Sequence, residues 1–125
     1  MTLQNEFYKI TRRSEDDGQL SFHLELMPES YIFKAHFPGN PIVPGVCQLQ
    51  MIGELLRGVL GREVYLKEIK NVKYLTVMSP KDQTAYCLAF QKIQTEVDGC
   101  RVLAVYKDTE RQYAKLSLVF SYQQN

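Results

Sequence analysis

The residues best placed to do chemistry lie in one stretch, His36-Phe37-Pro38-Gly39-Asn40-Pro41-Ile42-Val43-Pro44-Gly45-Val46. Three of the five prolines and two of the seven glycines fall within the eight residues from Pro38 to Gly45. A loop this stiff loses little entropy on ordering, so Phe37, Pro38, Gly39, Pro41 and Pro44 are expected to shape it and hold their neighbours in fixed positions. His36 offers an imidazole, the side chain whose ordinary pKa suits proton transfer near neutral pH. Gly45 and Val46 follow at a helix start, where the first N–H groups lack an intrahelical acceptor and the helix dipole favours a carbonyl oxygen or an anion. One loop thus carries an imidazole and amide donors. A single His beside a Phe is also ordinary on a protein surface, and the residues alone leave both readings open.

Gln50, Glu54 and Arg57 form a narrow polar strip along the helix that follows. Gln50 stands fourteen positions after His36; its amide can hydrogen-bond but has no useful acidity. Glu54 lies one turn later, about 40° around the axis and about 6 Å along it, within reach of an acid role at some cost in distance. It is otherwise expected to be solvated or paired with Arg57. Gln48 falls on the apolar side, where a buried amide must find partners, so a satisfied core glutamine is expected. Cys47 is read as packing, and His23, on the polar face of a strand, as exposed.

The elements that must position these groups follow from hydrophobic period. Leu49, Ile52, Leu56, Val59 and Leu60 recur at three- and four-residue steps from Gly45 to about Leu60, and Cys47, Met51 and Leu55 widen that surface, which predicts a helix buried on most sides. Pro44 and Gly45 suit its first turn and Gly61 its stop. Leu20, Phe22, Leu24 and Leu26 alternate with Ser21, His23 and Glu25 as in a strand with one wet face. Phe7 to Arg13 reads as its hairpin partner across Ser14–Gly18. Further strands are predicted over Val64–Val77, Thr84–Gln94, Arg101–Asp108 and Tyr113–Tyr122, separated by turn residues. The result is an α+β arrangement, an antiparallel sheet of about five or six strands curled around one long central helix. The last strand has a markedly apolar face, a place for sheet continuation or face packing in a homodimer.

With 125 residues, 45% of them hydrophobic, the chain suits a single domain spanning 1–125. Fifteen Lys and Arg against 14 Asp and Glu leave a net charge of +1, which gives no overall field to attract nucleic acid. No apolar run approaches the roughly 18 residues of a membrane span, and no leader pattern opens the sequence. Cys47, Cys87 and Cys100 lack CxxC spacing, so free thiols of a cytoplasmic protein are expected, with neither a disulfide framework nor a metal site.

HFPGNPIVPGV resembles the HFPGxPxxPGV signature of the β-hydroxyacyl-ACP dehydratases of fatty-acid synthesis, the FabZ and FabA group, which have the hotdog fold. Lys73 to Asp82 resembles the same family's KFxxPVxPGD segment, with Tyr74 in place of Phe, Val77 of the first Pro, Met78 of Val and Lys81 of Gly. PGVxQL is similar to the corresponding segment of dehydratase-like proteins from aryl-polyene-type lipid pathways, which points to a specialised branch. The resemblance implies that His36 removes the proton alpha to a thioester and that the Gly45 amide, flanked by Val46, binds the thioester oxygen. The position of the family's acid, which protonates the departing hydroxyl, is Gln50, so either His36 makes both proton transfers with Gln50 as the positioning group that orients the hydroxyl or a water, or Glu54 takes the acid role, or the chemistry is lost.

A 3-hydroxyacyl-ACP dehydratase, giving a trans-2-enoyl thioester, is the leading expectation. A hotdog thioesterase and a non-catalytic acyl-ACP-binding subunit are the alternatives. No cofactor is implied, because acyl-ACP or acyl-CoA brings its own phosphopantetheine arm. A homodimer or an oligomer of dimers is implied, with Arg12, Arg13, Lys67, Lys70 and Lys73 as candidates for docking acidic carrier protein.

Overall fold

The computed structural model describes residues 2–124. Six strands and two helices run in the order β1 (Tyr8–Asp16), β2 (Gln19–Leu26), α1 (Tyr31–Ala35), α2 (Gly45–Leu60), β3 (Tyr65–Tyr74), β4 (Ala85–Thr95), β5 (Gly99–Lys107) and β6 (Gln112–Ser121). The strands form one antiparallel sheet ordered β1-β2-β4-β5-β6-β3.

The sheet buries one face. On β2, Leu20, Phe22, Leu24 and Leu26 are buried while Ser21, His23 and Glu25 are half-buried, as strict alternation requires. The β1–β2 turn is tighter than the sequence suggests, because Ser14 to Asp16 still pair with Ser21 to Gln19. Only Asp17 and Gly18 turn the chain, both at positive φ, the geometry that matches strand twist in a two-residue hairpin.

Helix α2 occupies the span its apolar period predicts. Its buried face is Cys47, Gln48, Met51, Ile52, Gly53, Leu55 and Leu56, with Leu49, Val59 and Leu60 packed half-buried at the margins. Met51, Ile52 and Leu56 lose all contact with water, each contributing about 1.5–3 kcal/mol of transfer free energy. Gly61 stops the helix in the left-handed conformation with its N–H on the Arg57 carbonyl at 2.8 Å, an arrangement a β-carbon would strain.

Three further features depart from the sequence reading. The five-residue helix α1 is unforeseen, since one turn is too short to show a period; Ser30 Oγ accepts from Ile32 N–H, and Ile32 and Phe33 are buried, Phe33 stacked on Phe7 at 4.5 Å. β3 ends at Tyr74, because Leu75 and Thr76 turn away with their N–H groups on the Tyr113 carbonyl. β6 is interior, between β5 and β3, so its apolar face serves the core and the open edge belongs to β3 instead.

Candidate active site

The proline-rich loop is pinned by many backbone contacts. His36 donates its backbone N–H to the Ile32 carbonyl at 2.9 Å, and its own carbonyl accepts from Ile42 N–H at 2.8 Å. Phe37 and Asn40 exchange backbone bonds of 3.1 and 2.8 Å, with Gly39 at φ +75 completing the turn. A second segment clamps the loop from outside. Val43 N–H donates to the Met78 carbonyl at 2.8 Å, Ser79 Oγ to the Pro41 carbonyl at 2.7 Å, and Lys81 Nζ to the Gly39 carbonyl at 3.2 Å. Ser79 is fixed in turn by Tyr86, whose hydroxyl donates to its carbonyl and accepts from its N–H. The two stretches that carry the family resemblance are therefore physical neighbours.

His36 is exposed on this loop, its ring edge-on to Phe37 with centroids 5.4 Å apart, and it makes no side-chain hydrogen bond among the described residues. Beyond the loop, Pro44 supplies no side-chain cap to α2, and the N–H groups of Gly45 and Val46 donate to no described residue. Uncapped amides at the start of a long helix are free to hold an oxygen atom. Beside them opens a cavity of about 270 Å³ whose walls include Ile42, Val43, Gly45, Gln48, Tyr74 and Met78. A larger surface groove of about 800 Å³ lies among Arg12, His23, Cys87 and Lys107, and no residue of the loop lines it.

The polar strip of α2 is used differently from expectation. Glu54 Oε2 accepts from Leu3 N–H at 2.7 Å and from Gln50 Nε2 at 3.0 Å; Oε1 accepts from Gln4 N–H and the Tyr8 hydroxyl, both at 2.9 Å. Both carboxylate oxygens are thus occupied in tying the N-terminal segment to the helix, with Gln50 on the same carboxylate. Burial first, then the Glu54 carboxylate, raises the Tyr8 hydroxyl far above the usual tyrosine range. Arg57 pairs with Glu63 at 3.0 Å and donates to the Val64 carbonyl rather than meeting Glu54. This clamp was hidden in the sequence, because three of its four donors, two of them backbone amides, lie some fifty residues away.

The other candidates fall as follows. Gln48 is buried, but it is not the satisfied core glutamine expected: Nε2 reaches the Val43 carbonyl at 3.4 Å, and Oε1 has no donor among the described residues. Cys47 is buried packing, and burial pushes its thiol up. His23 is half-buried rather than exposed, beside Arg12 at 3.0 Å; burial first, then the neighbouring charges of Arg12 and Lys107, lower its pKa. The basic residues proposed for docking do not form one surface, since Arg12 and Arg13 belong to β1 and Lys67, Lys70 and Lys73 to β3, at opposite edges of the sheet. No helix is long and apolar enough to cross a membrane among the described residues.

A curled antiparallel sheet around one long helix, with a rigid loop feeding the uncapped helix start, defines the hotdog fold. The sequence profile described as ApeI dehydratase, of the ApeI-like family, matches residues 11–122, and the chain belongs to that family. Among curated relatives, the 3-hydroxyacyl-acyl-carrier-protein dehydratase FabZ of Helicobacter hepaticus is 28% identical over 100 residues, covering 70% of this chain and 59% of that one. FabZ of Wolbachia pipientis is 31% identical over 94 residues, covering 70% and 66%. The chain thus spans about three-fifths to two-thirds of the length of these relatives. Among solved structures, the dehydratase heterocomplex ApeI:P from Xenorhabdus doucetiae superposes with a TM-score of 0.70 at 19% identity, over 90% of this chain and 96% of that one. A hypothetical thioesterase from Streptococcus pneumoniae with coenzyme A superposes with a TM-score of 0.60 at 14% identity, over 99% and 94%. These two likenesses concern the fold.

Proposed function

We propose that this protein removes water from a 3-hydroxyacyl thioester carried on acyl carrier protein, giving the trans-2-enoyl thioester, and that it does so as a cytoplasmic homodimer. The observation that carries the reading is the fixed loop from His36 to Gly45, which leads into two helix amides with no acceptor among the described residues. The amides of Gly45 and Val46 grip the thioester oxygen and stabilise the enolate as it forms. His36 removes the proton from the adjacent carbon. Membership of a dehydratase family and the FabZ relatives support elimination over hydrolysis.

The dimer reading is supported by how open the site is in one protomer. His36 and Phe37 are exposed, and the free strand β3 with the segment after it shows Leu66, Ile69, Tyr74, Leu75 and Val77 to solvent. Pairing β3 with a second copy covers this edge and brings the loop of one subunit against the helix start of the other. The substrate brings the phosphopantetheine arm, so the chain itself is assigned no cofactor.

Incubation with 3-hydroxyacyl-ACP and 3-hydroxyacyl-coenzyme A tests the reading. The expected result is enoyl absorbance without free thiol, with His36→Ala lowering kcat/KM by about 10³-fold or more. Release of thiol makes the protein a thioesterase, and neither product from the assembled oligomer makes it a binding subunit; either outcome overturns the proposal.

A further inference from the structure

Elimination of water needs a proton for the departing oxygen, and neither Gln50 nor Glu54 of the α2 strip is suited to give one. Gln50 is an amide, and both oxygens of Glu54 are held by the N-terminal segment and Gln50. A different hydroxyl stands at the helix start. Tyr74, the last residue of β3, lays its ring across Gly45 so closely that a β-carbon there would lie 2.5 Å from the phenol oxygen and 3.0 Å from Cζ. The residue is 56% exposed, and its hydroxyl makes no hydrogen bond among the described residues. It is an unspent donor beside the amides that would hold the thioester oxygen.

A residue lining the same cavity carries an unspent acceptor, which a turn of its amide would present to a ligand. Gln48 lines it together with Tyr74, is 4% exposed, and has its Oε1 without a donor among the described residues. A buried carbonyl left in that state is costly, and a ligand that brings a donor relieves it. A substrate hydroxyl is both things at once: it donates to an acceptor such as Gln48 Oε1 and accepts from a donor such as the Tyr74 phenol.

We propose that Tyr74 is a catalytic residue, the proton donor to the departing hydroxyl, with Gln48 orienting that hydroxyl in the cavity beside Gly45. The inference rests on the dehydratase reading. His36 takes the proton from the carbon alpha to the thioester, and the electron pair becomes the second bond between the alpha and beta carbons. The bond from the beta carbon to oxygen breaks, and the oxygen leaves as water with the phenol proton. The imidazolium formed at His36 then returns its proton to the phenolate, directly or through water, and both groups are reset. Position 74 is also where this chain carries Tyr against the Phe of the motif it resembles, which adds a hydroxyl beside Gly45.

The experiment uses the full chain with a 3-hydroxyacyl-coenzyme A as substrate. Tyr74→Phe is expected to melt at the wild-type temperature and to lower kcat by about 10²–10⁴-fold with KM little changed. In the Tyr74→Phe background, Gln50→Glu restores part of the loss. Replacing Tyr74 with difluorotyrosine, a more acidic phenol, moves the alkaline limb of the pH–rate profile to lower pH. Wild-type dehydration that His36→Ala abolishes but Tyr74→Phe leaves within twofold overturns the proposal while the dehydratase reading stands. An alkaline limb unmoved by difluorotyrosine does the same, reducing Tyr74 to packing. If the wild type forms no enoyl product, both fall.

Discussion

At the scale of single residues, Glu54 reads in the sequence as a solvated or Arg57-paired carboxylate with a secondary claim to an acid role, and it acts as a clamp in the fold. Four donors converge on it, two of them backbone amides of Leu3 and Gln4. Hydrogen bonds to a charged acceptor contribute more than neutral ones, and an orphaned donor pays its desolvation in full. Glu54→Ala is therefore expected to cost about 2–4 kcal/mol, seen as a lower urea midpoint at unchanged m-value. A loss under 0.5 kcal/mol would show that water replaces the carboxylate. Gln48 is the opposite case, a side chain whose burial was legible from helical period but whose missing partner was not, since that depends on what β3 and the loop bring to it.

At the scale of elements, the β5–β6 connection shows how a turn is fixed by one carboxylate. Asp108 Oδ1 accepts from the N–H groups of Glu110 and Arg111 at 2.8 and 2.9 Å, and Oδ2 accepts from Gln83 Nε2 at 2.9 Å and from the Tyr113 hydroxyl. The Tyr113 hydrogen bond first, then the Glu110 amide, hold the Asp108 carboxyl well below the usual range. Burial first, then Asp108, push the Tyr113 phenol up to about 12. A depressed carboxyl pKa contributes stability that is complete above about pH 4 and lost as pH falls through the depressed value. The raised phenol pKa contributes below about pH 10 and loses its contribution as pH rises through about 12. Asp108→Asn should lower the melting temperature at pH 7, and the gap to wild type should narrow below about pH 4 in thermal melts across pH. A gap constant with pH would assign the turn's stability to the backbone alone.

At the scale of the whole molecule, the two edges of the sheet differ in kind. β1 carries Lys9, Arg12, Arg13, Glu15 and Asp16, charges of the sort that blunt an edge against pairing. β3 places Leu66 and Ile69 in solvent and runs into exposed Leu75 and Val77. Ile69→Lys is expected to shift sedimentation from dimer to monomer and to lower activity by at least tenfold at micromolar protein, with recovery at higher concentration. Full activity from a sedimenting monomer would place the complete site within one subunit.

The helix from Gly45 to Leu60, the run of six strands along the chain and the loop with its imidazole and helix amides are legible without any fold, because period, proline content and capping are local properties. The sequence also carries the family, through the eleven residues from His36 to Val46. Which strand is left at the edge, which groups occupy Glu54 and the position of Tyr74 over Gly45 emerge once the chain is folded. Those are contacts between segments about thirty to fifty residues apart, fixed by how the sheet closes on the helix, and no spacing within either segment encodes them.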